Sequence, residues 1–91
     1  MFIVAYQAYN PDYNILDSLS FGALPKLFKS FNEAKDFLLN VEIPELLKDL
    51  QFSDDNVTVQ TESNLDNISA SFFVNDDIWS VTEFKIIEEI K

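Results

Sequence analysis

Cysteine, histidine and arginine are all missing from this chain of 91 residues, and glycine occurs once. Without cysteine there are no disulfides and no thiolate metal sites. Without histidine the chain lacks the usual general base near neutral pH, the usual activator of a nucleophile and the commonest transition-metal ligand. Without arginine it has no bidentate clamp for phosphate. Paired carboxylates or a Ser–Lys pair are all that is left for catalysis, so the chain is expected not to be an enzyme and to carry no cofactor. One glycine and three prolines leave no flexible linker or low-complexity segment. The expectation is a single domain over residues 1–91.

What is present is apolar and acidic. Hydrophobic residues make up 47% of the chain, with nine Phe, three Tyr and one Trp, which is enough large apolar surface to fold rather than stay disordered. Formal net charge is −10, and it is unevenly spread. Residues 1–48 hold six acids and four lysines, whereas residues 49–91 hold ten acids and two lysines. Between Asp49 and Phe84 there are eight carboxylates and no base. Direct nucleic-acid binding needs the opposite sign, because affinity comes from neutralising phosphates, and an anionic membrane surface is disfavoured on the same ground. The first strand-like run, FIVAYQAY, is too short to span a bilayer and has no preceding basic segment of the signal-peptide kind, so a cytoplasmic location is expected.

The pattern of apolar residues changes period along the chain. Residues 2–9 are β-branched and aromatic and read as a strand, closed by the turn Asn10-Pro11-Asp12. Gly22 and Pro25 argue against a helix over 15–29, leaving a short strand or an extended connection. Ser30-Phe31-Asn32-Glu33 is a capping box opening a helix whose Phe31, Ala34, Phe37, Leu38 and Val41 share one face. Pro44 predicts a break near 40–43 and a second short helix, PELLKDL, burying Leu46, Leu47 and Leu50. After residue 55 the period becomes two, through Val57/Val59, then Ile68/Ala70/Phe72/Val74, then Ile78 to Ile87. The fold class is therefore α+β: an antiparallel sheet of four or five strands with one broken helix, about 31–50, packed on one face.

Two hairpin registers are open at residues 75–77. A three-residue loop pairs Val74 with Ile78 and puts Ile68, Ala70, Phe72, Val74, Ile78, Phe84 and Ile86 on the inner face. Ser69, Ser71, Glu83 and Lys85 then lie outside, with Phe73, Trp79 and Val81 near the hairpin tip. A two-residue loop at Asp76-Asp77 instead turns Trp79, Val81, Glu83 and Lys85 inward, which drives charge towards the core. The first is preferred for that reason.

Neither Asp54-Asp55 nor Asp76-Asp77 has the spacing or the glycine of a calcium loop, so no metal site is expected. With sixteen acids, some carboxylate pair always meets glycosidase spacing, and a chain this small has little wall for a substrate pocket. Turn chemistry alone accounts for each aspartate pair, and core packing for any one aromatic. Segregation of charge is harder to ascribe to solubility, since soluble surfaces intersperse both signs and concentrated like charge repels itself. It suits electrostatic steering of a basic partner. The candidate partner-binding set is Asp54, Asp55, Glu62, Asp66, Phe73, Asp76, Asp77, Trp79 and Glu83, with Trp79 as the aromatic anchor.

In size, in its lack of Cys, His and Arg, and in the crowding of Asp54, Asp55, Glu62, Asp66, Asp76 and Asp77 into one half, the chain resembles the small acidic immunity proteins of bacterial nuclease-toxin systems. That resemblance is to a class with many folds. It implies a basic toxin domain as partner, with the carboxylates occupying its nucleic-acid-binding surface. Phage-encoded acidic proteins that mimic DNA and block host defence enzymes are similar in the same features, and an adaptor subunit with incidental acidity is a third reading.

Overall fold

The computed structural model describes residues 1–11, 19–50 and 56–88. Five strands, β1 (Phe2–Tyr9), β2 (Ser20–Ala23), β3 (Val57–Asn64), β4 (Asn67–Val74) and β5 (Asp77–Glu88), form one sheet in the order β2-β1-β5-β4-β3. All four pairings are antiparallel. A helical segment of 20 residues, from Phe31 to Leu50, packs on one face. The expected α+β architecture is therefore what forms. The β3–β4–β5 meander pairs sequential neighbours, and β1 then closes on the far side of β5, with Val4 opposite Ile86 and Tyr6 opposite Phe84.

The helix begins where its cap places it. Ser30 is extended, with φ −140° and ψ 161°, and its Oγ accepts from the Glu33 N–H at 3.1 Å. Such a cap contributes about 1 kcal/mol. The first part, α1 (Phe31–Phe37), runs into a wide π-turn over Leu38–Glu42 and continues as α2 (Ile43–Leu50). The expected break is thus a widening rather than an end. The Ile43 N–H donates to the Leu38 carbonyl five residues back. Pro44 has no N–H to give and its ring needs room from the preceding turn, and the wider turn meets both demands. The turn also re-phases the buried stripe, which runs Ala34, Leu38, Ile43 and then the half-buried Leu46, Leu47 and Leu50. Val41, expected on the inner face, is 43% exposed for this reason.

Under the helix lies the core: Val4, Ile68, Ala70, Phe72, Phe84 and Ile86 from the sheet, Ala34, Leu38 and Ile43 from the helix, and Phe28 from the segment between β2 and α1. Phe28 is fully buried, pairs with Phe2 at the sheet margin, and meets the Phe37 ring at 5.3 Å. Each buried Phe stabilises by about 2–3 kcal/mol. The one glycine, Gly22, is opposite Tyr6, where a Cβ would come within 3.0 Å of the phenol oxygen. Close approach of strand to ring explains its place in β2.

The β4–β5 hairpin follows neither register at its tip. Asn75 and Asp76 form the turn with φ of 52° and 70°, and Val74 pairs with Asp77. Asn and Asp accept left-handed backbone readily, and a two-residue turn of this sign matches strand twist. Phe73 accordingly pairs with Ile78, which takes Ile78 off the inner face and corrects the expected Val74–Ile78 pairing. A bulge then leaves Trp79 without a partner in β4, and from Phe72–Ser80 onward the pairing is that of the preferred register. Thr82, Phe84 and Ile86 point inward and are buried, while Glu83 and Lys85 lie on the outer face.

Candidate functional site

Among the described residues the helices pack on only one face of the sheet, and none of them covers the other, which presents side chains from all five strands. Cross-strand pairing sets one transverse row on it: Phe21 of β2, Gln7 of β1, Glu83 of β5, Ser69 of β4 and Glu62 of β3. Each holds its place because alternate residues of every strand face the core, leaving odd positions of β1 and β5 outside. Phe21 is 76% exposed, an unusual state for so large an apolar side chain.

Glu83 is the centre of the row. Its carboxylate accepts from Gln7 Nε2, and the Tyr9 hydroxyl reaches its other oxygen at 3.4 Å. Tyr9 is held above the usual phenol pKa, first by burial, then by the negative charge of Glu83 and by the hydrogen bond to it. A concavity of about 480 Å³ lies between Phe21 and Lys85, with Gln7, Asn67 and Glu83 on its walls. Beside it a second hollow of about 360 Å³ runs from Glu83 across Ser69 to Glu62, bordered by Asn64 and Asn67. Glu62 and Glu83 sit on the two strands flanking β4, so their backbones are about 10 Å apart. Such a face accepts hydrogen bonds and positive charge, and its serines have no histidine beside them to activate an oxygen nucleophile.

The residues expected to bind a partner are only partly brought together. Asp54 and Asp55 lie outside the described residues. Glu62 and Glu83 share the open face. Phe73 is also there, half-buried opposite Ile78, while Trp79 stands at the bulge, 49% exposed. Asp76 and Asp77 are exposed at the β4–β5 turn. Asp66 is in the β3–β4 turn, its carbonyl accepting from the Ile86 N–H at 2.8 Å. The length of β4 separates those turns by about 25 Å, so the aspartates occupy opposite poles of the sheet. Gln7, Tyr9 and Phe21 were missed, because their place depends on β1 pairing with β5 across most of the chain.

Among the described residues no three His, Cys, Asp or Glu side chains converge to hold a metal ion, and no helix is long and apolar enough to cross a membrane. Comparison with protein-family models, with curated proteins and with solved structures returned no match.

Proposed function

We propose that this protein is a cytoplasmic binding protein that neutralises a basic, nucleic-acid-processing partner, in the manner of an immunity protein. The observation that carries this reading is the sheet face left bare by the described helices, with Glu62 and Glu83 in one row beside an exposed Phe21, on a chain of net charge −10. Carboxylates there stand in for nucleic-acid phosphates against lysines and arginines of the partner. The polar aspartates steer the encounter, and exposed Phe21 and Trp79 supply apolar contact.

Photo-crosslinkers at Ser71 on the open face and at Glu45 on the helix test it in the native host. A basic enzyme acting on nucleic acid should be captured from position 71, less so as salt rises, and its activity should be inhibited by the purified protein. Glu62→Lys should relieve that inhibition at least about tenfold, since close charge pairs across interfaces couple strongly. Capture only from position 45, unaffected by salt, would refute the reading.

A further inference from the structure

The two edges of the sheet are built differently. An exposed edge strand presents unpaired backbone N–H and C=O groups to any extended chain, and soluble proteins blunt such edges with short strands, proline, lysine, bulges or inward-pointing charge. The β2 edge carries these devices: four residues only, with Pro25 and Lys26 just beyond Leu24. The chain stays tied to β1 on either side of them, Leu24 N–H to Val4 O at 2.9 Å and Phe28 N–H to Phe2 O at 2.9 Å. The β3 edge carries none. It runs eight residues, VTVQTESN, in unbroken register with β4, with no proline, lysine or glycine. Its inward positions, Val57, Val59, Thr61 and Ser63, are uncharged, and its one charge, Glu62, is on the open face.

The ladder shows which groups of β3 point away from β4. The Asn75 N–H donates to the Asn56 carbonyl at 2.8 Å, so this pair is a hydrogen-bonded one. Antiparallel pairs alternate, which makes Thr58, Gln60, Glu62 and Asn64 the residues bonded to β4. Val57, Val59, Thr61 and Ser63 then turn their N–H and C=O groups away from β4, a ladder of four residues that no described residue pairs with.

We infer that the free edge of β3 is a docking surface for one extended, basic segment of the partner, which adds to the sheet as a sixth strand. This rests on the basic-partner reading above and says where the contact is made. Main-chain hydrogen bonds to Val57, Val59, Thr61 and Ser63 hold the segment. Its side chains alternate in kind. Those on the open face lie beside Thr58, Gln60 and Glu62, in a stretch of chain with no base, and are Lys or Arg. Those on the other face lie beside Val59, where α2 packs over β3 with Leu46, Leu47 and Leu50 half-buried, and are apolar. A second copy of this chain fits worse, because it brings a further net charge of −10 and an acidic strand of its own.

Amide NMR with three capped octapeptides tests this: alternating Lys-Val, the same with Glu for Lys, and Lys-Val N-methylated along its ladder side. The Lys-Val peptide should bind and slow amide exchange at Val57, Val59, Thr61 and Ser63. N-methylation should weaken it about tenfold or more, the equivalent of one or two lost hydrogen bonds. Thr61→Pro should do the same and leave the fold intact, because that N–H faces away from β4. Equal binding of the methylated peptide, with shifts confined to Gln7, Ser69 and Glu83, would overturn the edge proposal while leaving the basic-partner reading in place. Equal binding of the Glu peptide at the edge would overturn the basic character of the strand and with it that reading. Protection of the same four amides by self-association, without peptide, would assign the edge to a second copy and refute the proposal.

Discussion

Deleting Val41 should reveal what the wide turn in the helix is for. Leu38 and Ile43 are both buried and five residues apart, a spacing that only the π-turn allows on one face of the helix. Removing Val41, which is 43% exposed, makes that spacing four. The stripe from Ala34 to Leu50 would stay in phase in an ordinary α-helix, and little buried surface would be lost. The obstacle is Pro44. In a regular helix its ring meets the carbonyl four residues back and one hydrogen bond is missing, at about 3 kcal/mol. The deletion alone should therefore cost about 3 kcal/mol. In a Pro44→Ala background it should cost under about 1 kcal/mol, so that the two changes couple by about 2–3 kcal/mol. For a domain of this length total stability is roughly 5–14 kcal/mol, and the loss is measurable as a shift of the urea midpoint followed by circular dichroism at 222 nm. Equal costs in the two backgrounds would show that Pro44 is not the reason for the turn.

Two other expectations concern the sheet. Leu65, at the tip of the β3–β4 turn, has φ 51° and is 89% exposed, so Leu65→Gly should relieve backbone strain without emptying the core and stabilise by about 0.5–1 kcal/mol. A lower thermal midpoint would contradict the left-handed turn. Tyr9 has a folded pKa raised above its unfolded one, so its contribution to stability is fully present below the ordinary phenol range and is lost as pH rises through the folded value. Titration at 295 nm should show Tyr9 ionising late, brought part of the way back by Glu83→Gln, which removes the charge but leaves the burial. No change in that variant would mean that burial acts alone.

Local chemistry made much of the fold legible from sequence. The capping box at Ser30 and the alternation of Ile68, Ala70 and Phe72 each need only near neighbours to be read. Val41 and Ile78 were misplaced where a single residue changes the phase: the π-turn before Pro44 in the helix, and the bulge at Trp79 in β5. Both are one-residue insertions, and neither alters composition or period over the windows from which a pattern is judged. The open face was harder still. Gln7 and Glu83 are 76 residues apart, and only the β1–β5 pairing brings them together. No spacing in a single sequence carries that information.

The acidic run itself has a different form in space from the one it has in sequence. Turns need Asn and Asp, and a meander sends successive turns to opposite ends of the sheet, so Asp66 goes to one pole and Asp76 with Asp77 to the other. At physiological ionic strength charges about 25 Å apart lie well beyond a Debye length of about 8 Å and act separately. Contiguity in sequence therefore does not make a contiguous patch. What unites carboxylates is instead the cross-strand row, where Glu62 and Glu83 flank Ser69 at a separation of about 10 Å, close to one Debye length. A partner steered by the poles would meet two long-range fields and one short-range site. Reversing Asp76 and Asp77 to Lys should then slow association and leave dissociation nearly unchanged. Glu62→Lys should do the opposite, because its carboxylate is beside both the open row and the free β3 edge. Stopped-flow association and dissociation rates measured at two salt concentrations separate these effects. If Glu62→Lys changed only the association rate, the row would be another distant steering charge and the contact would lie elsewhere.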